Sequence, residues 1–227
     1  MNVRSINECL IHGRLEEPGL FPHLEHLARS PYVFEFDFGL DELPREPGIL
    51  LIRGARQYGK STWLEARLRE TVETEGPGSA FYLNGDVLRN EDALVDAVSD
   101  LVPLFREDAP VRRLFVDEIT AVRNWERGIK RLADAGDLRD VLVVTTGSRA
   151  TDLRRGAERL PGRKGKLTRT TYLFAPIPFR EFERVCGAEF RETATIGYLL
   201  SGGCPIAAAE LAGNARLPEY VIEMIRD

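Results

Sequence analysis

The segment GARQYGKS at residues 54–61 decides how the rest of this sequence is interpreted. It matches the pattern G-x-x-x-x-G-K-[ST], and it lies between a short apolar run at 48–54 and a helical pattern at 60–74. Glycines allow a tight loop whose backbone N–H groups point at phosphate oxygens, and the helix N-terminus adds its positive dipole end. The motif therefore predicts a phosphate-binding loop in which Lys60 meets the β and γ phosphates and Ser61 meets Mg²⁺.

Strand and helix patterns alternate around this loop. Apolar runs typical of buried strands lie at 48–54, 79–83, 113–117, 140–146 and 170–174. Helical spacing lies at 60–74, after a predicted N-cap at Asn90, and around 123–135. Because parallel strands joined by crossover helices give this alternation, the sequence predicts an α/β fold with a doubly wound, mostly parallel sheet.

Changes in character along the chain predict three parts. Residues 1–30 form a helical lead-in broken by glycine and proline, and residues 31–177 form the phosphate-binding domain. The aromatic stretch YVFEFDF at 32–38 predicts an edge strand or a piece of a hairpin within that domain. Helical spacing then predicts a small helical lid at 178–227.

Two adjacent carboxylates, Asp117 and Glu118, follow the apolar run of the third predicted strand. Consecutive side chains at a strand end point in different directions, so the two acids cannot share one role. We expect Asp117 to hold Mg²⁺ together with Ser61, and Glu118 to polarise the water that attacks the γ phosphate.

The next predicted strand ends in the hydroxyl-rich sequence TTGS at 145–148. A side chain at this edge of the sheet is expected to contact the γ phosphate or the attacking water, and we favour Ser148 and Thr146. Ser148 fits a second role almost equally well, as the N-cap of a helix that begins at residue 149.

Composition restricts the partners and the location of the chain. Its 227 residues carry 31 basic and 36 acidic side chains, and the net charge of −5 gives no overall attraction to nucleic acid or anionic lipid. The sequence contains neither a run long enough to span a membrane nor a signal-peptide pattern, so we predict a cytoplasmic protein with no membrane partner. The three cysteines are widely spaced and are expected to be small buried apolar side chains.

A basic stretch at 154–169 has three interpretations. It forms a solvated loop, it contacts nucleic acid, or it supplies an arginine, Arg163, to the site of a neighbouring subunit. The sequence therefore leaves open a protein partner, self-association and nucleic-acid binding.

The combination of GARQYGKST at 54–62, FVDEI at 115–119, TGS at 146–148 and GGCP at 202–205 resembles the prokaryotic AAA-type P-loop ATPases close to the STAND group. The resemblance implies ATP and Mg²⁺ as cofactors, and ATP hydrolysis coupled to a conformational or regulatory output. The alternatives are a slow nucleotide-switched binding module and a nucleic-acid-associated ATPase. Relatives usually continue into a further C-terminal domain, which leads us to expect that output and partner specificity reside there.

The motifs and the resemblance together assign individual residues. The nucleotide-binding set is Gly54, Ala55, Arg56, Gln57, Tyr58, Gly59, Lys60, Ser61, Thr62 and Pro205. The catalytic set is Glu118, Lys60, Ser148, Thr146 and Arg163, and the metal ligands are Ser61 and Asp117. Pro205 lies against the adenine in this assignment, whereas the alternative for GGCP is an ordinary turn between two helices.

Overall fold

The structure, a computed structural model, describes residues 1–148 and 167–216 together with residues 219 and 222. Its strands are β1 Gly48–Arg53, β2 Ala80–Asn84, β3 Arg113–Asp117, β4 Leu142–Gly147 and β5 Thr171–Leu173. Its helices are α1 Val3–His12, α2 Pro22–Leu27, α3 Lys60–Glu75, α4 Glu91–Leu101, α5 Trp125–Ala135, α6 Phe179–Phe190, α7 Ala194–Ser201 and α8 Pro205–Asn214. Single 3₁₀ turns lie at Gly85–Val87, Val102–Leu104, Ile119–Ala121 and Arg191–Thr193.

The five strands form one parallel sheet in the order β2-β3-β4-β1-β5. Helix α3 packs on one face of the sheet, and α4 and α5 pack on the other. This architecture confirms the predicted α/β fold with a doubly wound parallel sheet. The predicted N-cap of α4 is also confirmed, because Oδ1 of Asn90 accepts a hydrogen bond from the N–H of Ala93.

Strand β1 is buried on both of its faces. Ile49 and Leu51 belong to the core beneath α4 and α5, whereas Leu50 and Ile52 belong to the core beneath α3, and none of the four is more than 3% exposed. Two-sided burial explains why this strand reads as a continuous apolar run instead of an alternating one. It also fixes β1 in the interior of the sheet, between β4 and β5.

Helix α1 covers the edge of the sheet that β2 would otherwise expose. The Asn7 side chain donates a hydrogen bond to the carbonyl oxygen of Tyr82 (2.9 Å) and accepts one from its N–H (2.8 Å). One side chain thus pairs with the β2 backbone as a neighbouring strand would. The first thirty residues also contribute Leu10 and Phe21 to the core beneath α3.

The segment at 32–38 forms no strand, so the predicted edge strand or hairpin is wrong. Its alternating aromatic side chains are buried or half-buried by packing instead of by strand pairing. The ring centroids of Phe36 and Phe38 lie 4.6 and 4.9 Å from that of Phe174, and Phe34 packs among the C-terminal helices. An alternating pattern reports which side chains are buried, and irregular backbone can satisfy it as well as a strand can.

The C-terminal helices share a separate apolar cluster that includes Phe182 of α6, Ala194 of α7 and Ala208 of α8. The hydroxyl of Tyr198 donates to the carbonyl oxygen of Ile177 (2.9 Å) and so ties α7 to the chain that leaves the sheet. The three cysteines are buried, as predicted. In the described parts of the chain, no helix combines the length and the apolar character that crossing a membrane requires.

Glu65 is a buried carboxyl group on α3, only 7% exposed. Its Oε2 accepts hydrogen bonds from the N–H groups of His23 (2.9 Å) and Leu24 (3.1 Å), in the first turn of α2. Burial raises its pKa from 4.5 to about 7, and the charges of Asp117 and Glu25 act in the same direction. Between these two pH values the folded chain binds more protons than the unfolded chain, so this group lowers stability as the pH rises through that window.

Replacing Glu65 by glutamine is expected to remove this pH dependence, because the amide oxygen still accepts the two N–H groups without a buried charge. Denaturant unfolding should give similar stability for Glu65→Gln and the parent near pH 5. Near pH 8 the variant should be more stable by up to about 3 kcal/mol. Glu73→Gln, at an exposed position of the same helix, is the matched control. If the parent and Glu65→Gln show the same pH dependence, Glu65 does not carry the raised pKa.

Candidate functional site

The phosphate loop, residues 54–59, connects the end of β1 to the start of α3. Gly59 has a φ of 96° and ends the loop in a left-handed conformation that disfavours any side chain. At Gly54 an added Cβ would lie 2.6 Å from the carbonyl oxygen of Phe174. The local backbone therefore requires glycine at both fixed positions of the motif.

Lys60 is the first residue of α3 and is only 6% exposed. Its Nζ donates hydrogen bonds to the carbonyl oxygens of Gly54 (3.0 Å) and Ala55 (2.6 Å), within its own loop. Burial lowers the pKa of this amine, while the charges of Glu118 and Asp117 oppose that change. The fold thus brings the lysine and the two predicted carboxylates into one electrostatic cluster.

Asp117 ends β3 and is held by Thr146 of the neighbouring strand β4. The fully buried Thr146 hydroxyl donates to Oδ1 of Asp117 and accepts a hydrogen bond from the N–H of Glu118 at 2.9 Å. Within the described residues, the hydrogen bonds to the Asp117 carboxylate fall on Oδ1. Oδ2 is therefore the oxygen suited to a cation, and Ser61 occupies the first turn of α3.

Glu118 follows β3 in a left-handed conformation, with φ 47° and ψ 50°. Its Oε1 accepts hydrogen bonds from the N–H (3.0 Å) and the hydroxyl (2.9 Å) of Ser148, and a third from the hydroxyl of Thr120. Burial raises the pKa of Glu118, but these hydrogen bonds and the charge of Lys60 outweigh burial, and the pKa is lowered. The group is accordingly a carboxylate at neutral pH, as a proton acceptor must be.

The predicted hydroxyl residues both contact the carboxylates. Thr146 holds Asp117 and Ser148 holds Glu118, and their contact with a phosphate or a water stays a prediction. The alternative role of Ser148 as a helix N-cap concerns residues from 149 onward, which lie outside the described residues, as does Arg163.

Sequence reasoning missed Thr120, which lies in the 3₁₀ turn Ile119–Ala121 directly after Glu118. A hydroxyl two residues beyond a strand-end acid is the only signal in the sequence. It becomes meaningful once the backbone at Glu118 is known to turn.

The turn before α8 lies against the phosphate loop. The Tyr58 hydroxyl donates a hydrogen bond to the carbonyl oxygen of Gly202 (3.3 Å), and Sγ of Cys204 lies 3.7 Å from the carbonyl oxygen of Gln57. Pro205 follows as the first residue of α8, and its contact with adenine stays a prediction. The structure thus brings the GGCP segment, which joins α7 to α8, into contact with the loop of the predicted site.

The chemistry of this site suits a phosphate group and a hard divalent cation. The described residues contain no group of three His, Cys, Asp or Glu side chains that could hold a metal ion by themselves. A cation here would combine Asp117 and Ser61 with phosphate oxygens and water. Few protein ligands and several external oxygens are what Mg²⁺ favours at nucleotide sites.

Comparison with known families identifies one matching domain. A family model described as an AAA domain matches residues 46–183, which include the phosphate loop and both carboxylates. An uncharacterized protein of Methanocaldococcus jannaschii is 26% identical over 185 residues, which cover 80% of this chain and 39% of that protein.

Solved structures show the same fold at low sequence identity. A Walker-type ATPase of Pyrococcus abyssi matches with a TM-score of 0.51 and 14% identity, over 91% of this chain and 70% of that one. The ORC1 protein of Aeropyrum pernix, in a complex with DNA, matches with a TM-score of 0.50 and 14% identity, over 97% of this chain and 64% of that one. The chain thus spans less than two thirds of ORC1 and of the Methanocaldococcus relative.

Tyr58 offers a test of the contact between the loop and the turn before α8. Tyr58→Ala removes both the hydrogen bond to Gly202 and the packing on Cys204, so amide hydrogens at 202–204 are expected to exchange faster. Tyr58→Phe removes only the hydrogen bond and should give a smaller increase. Hydrogen-exchange mass spectrometry measures both. Unchanged exchange at 202–204 in a folded Tyr58→Ala protein would show that this contact does not hold the turn.

Proposed function

The chain belongs to the AAA domain family, and on that basis we propose that it binds ATP with Mg²⁺ at the phosphate loop and hydrolyses it, coupled to a conformational or regulatory output. The family and the fold are those of P-loop ATPases, which supports nucleotide binding at the coarse level. The form of the loop, with Arg56 and Gln57 inside it, supports a relationship to the STAND group.

The observation that carries the proposal is the convergence of three charged groups at one edge of the sheet. Lys60 opens α3, Asp117 ends β3 and Glu118 follows it, and the charges of the two acids act on the lysine. Phosphoryl transfer is achieved largely by positioning and by stabilising charge, and these groups supply both.

The two carboxylates take different roles in this proposal. Asp117, oriented through Oδ1 by Thr146, offers Oδ2 to Mg²⁺ together with Ser61. Glu118 is charged, and the donors from Ser148 and Thr120 meet its Oε1. Among the hydrogen bonds of the described residues Oε2 therefore stays available to accept a proton from the attacking water. Mg²⁺, when bound, would neutralise charge on the phosphate oxygens.

Lys60 supplies the cation for the β and γ phosphates in this proposal. It donates to the Gly54 and Ala55 carbonyl oxygens, which are neutral acceptors. Phosphate oxygens carry charge and form stronger hydrogen bonds with an ammonium group. It is therefore favourable for Lys60 to exchange its carbonyl partners for phosphate oxygens. The amine therefore already lies at the loop before it meets a phosphate.

A slow nucleotide-switched binding module is the second candidate. It is supported by the contacts of Tyr58 and Gln57 with the turn before α8, because a change in the loop would reach the proposed lid at 178–227. Pro205 against the adenine and Arg163 in a neighbouring site belong to the proposal as residues still to be tested. ORC1 is described with DNA, but that likeness concerns the fold, and a net charge of −5 does not favour nucleic acid.

Lys60→Ala is expected to weaken ATP binding by about 10- to 100-fold, because a charged hydrogen-bond donor to phosphate is lost. Calorimetric titration measures the affinity, and thermal melting verifies that the variant is folded. Lys130→Ala, at an exposed position of α5, is the matched control and should bind ATP like the parent. A folded Lys60→Ala protein with parental affinity would exclude this loop as the phosphate site.

Glu118→Gln is expected to retain ATP and Mg²⁺ binding while turnover falls by about 10²- to 10⁴-fold, because the amide cannot accept the proton. Asp117→Asn should instead weaken the Mg²⁺ dependence of ATP binding, since an amide is a poor ligand for a hard cation. Steady-state turnover and nucleotide titration at several Mg²⁺ concentrations separate the two effects. Parental turnover in Glu118→Gln would reject the proposed base and favour the nucleotide switch.

A further inference from the structure

Thr120 lies directly beside the proposed base. It is only 4% exposed, and its hydroxyl donates to Oε1 of Glu118. The same oxygen accepts the N–H and the hydroxyl of Ser148. One carboxylate oxygen therefore receives three hydrogen bonds from two sides, from the turn after β3 and from the end of β4.

Contacts of the backbone around Glu118 also restrain this residue. The left-handed conformation of Glu118 folds the following 3₁₀ turn back, and the N–H of Ala121 donates to the carbonyl oxygen of Glu118 at 2.9 Å. A Cβ placed on Gly85 would lie 2.3 Å from that same carbonyl oxygen, so the two backbones are in close contact. This turn places the Thr120 hydroxyl on the carboxylate two residues before it.

We propose that Thr120 is a positioning residue for ATP hydrolysis: together with Ser148 its hydroxyl fixes Oε1 of Glu118, so that Oε2 faces the attacking water. The inference rests on the proposed function, because it gives Glu118 the role of base. A carboxylate rotates about its terminal torsion with little intrinsic preference, so donors on one oxygen decide where the other one points. Ser148 approaches Oε1 from the end of β4, whereas Thr120 approaches it from the turn after the neighbouring strand β3.

A purely structural role of Thr120 would have different consequences for stability and turnover. Thr120 would then satisfy its own buried hydroxyl, and its loss would lower stability without a specific effect on turnover. Thr71 provides the comparison, because its hydroxyl is also buried and donates to the carbonyl oxygen of Arg67 within α3.

The test compares the full chain with Thr120→Val, Thr120→Ala and Thr120→Ser, with Thr71→Val as control. Each variant is assayed for ATP affinity, KM, kcat and melting temperature. We expect kcat to fall about 10-fold in Thr120→Val and Thr120→Ala, the loss expected for one hydrogen bond to a charged group, with KM and ATP affinity unchanged. Thr120→Ser should recover most of kcat, and Thr71→Val should lose stability only. In a Glu118→Gln background, Thr120→Val should cause no further loss of turnover.

Results that contradict the inference can be told apart from results that contradict the proposed function. Parental kcat in both Thr120→Val and Thr120→Ala, in an active parent, overturns the inference and leaves the proposed function intact. A raised kcat overturns it as well, because the contact would then restrain Glu118 from the water. A loss that follows melting temperature, or that Thr120→Ser does not recover, assigns Thr120 a structural role. A parent without ATP turnover rejects the proposed function together with this inference.

Discussion

The parallel pairing of β1 and of β3 with β4, which lies between them, determines where the charged groups of the site lie. Gly48 of β1 and Arg113 of β3 are both opposite Leu142 of β4, so the three strands begin in step. Because they are parallel and nearly equal in length, they also end in step, with the loop, Asp117 and the end of β4 at one edge. Apolar burial of β1 thus determines where polar chemistry can occur, although no apolar residue takes part in it.

Two oppositely charged groups in this cluster are stabilised in different ways. Burying any of these charges alone would be costly. The charge of Glu118 is supported first by donors from Ser148 and Thr120, and the attraction of Lys60 contributes less. Lys60 rests on two carbonyl oxygens. The carboxylate therefore does not depend on the lysine, and Lys60 can transfer its hydrogen bonds to a phosphate without leaving Glu118 uncompensated.

The sequence predicts the central strands, the loop and both acids because each depends on local chemistry. A continuous apolar run identifies β1, and the spacing of the glycines identifies residues 54–59. The prediction fails at 32–38, because the aromatic side chains there pack on Phe174 and on the C-terminal helices without forming a strand. The sequence does not predict the contact of Thr120 with Glu118. That contact requires a left-handed backbone at Glu118, which the residue type does not indicate.

The hydrogen bonds between Asn7 and Tyr82 are a second contact that the sequence does not predict, and they join residues much farther apart in the chain. An asparagine within a helix pattern carries no sign that it will pair with a strand edge 75 positions later in the chain. Contacts of this kind depend on where α1 is packed, and the packing follows from the whole core. Local signals therefore define the elements and the site motifs, while the fold alone defines the partners of single polar side chains.

Consecutive residues of the phosphate loop contact both the surroundings of Glu118 and the turn before α8. Nε of Arg56 lies 3.5 Å from the Ser148 hydroxyl, which in turn donates to Glu118. The next two residues, Gln57 and Tyr58, contact the turn before α8. The contacts of Arg56 lead to the carboxylate and those of Tyr58 lead to the C-terminal helices. In the proposed function, these three adjacent residues would link phosphate contact to the position of the C-terminal helices, and this link is what coupling nucleotide chemistry to a conformational output requires.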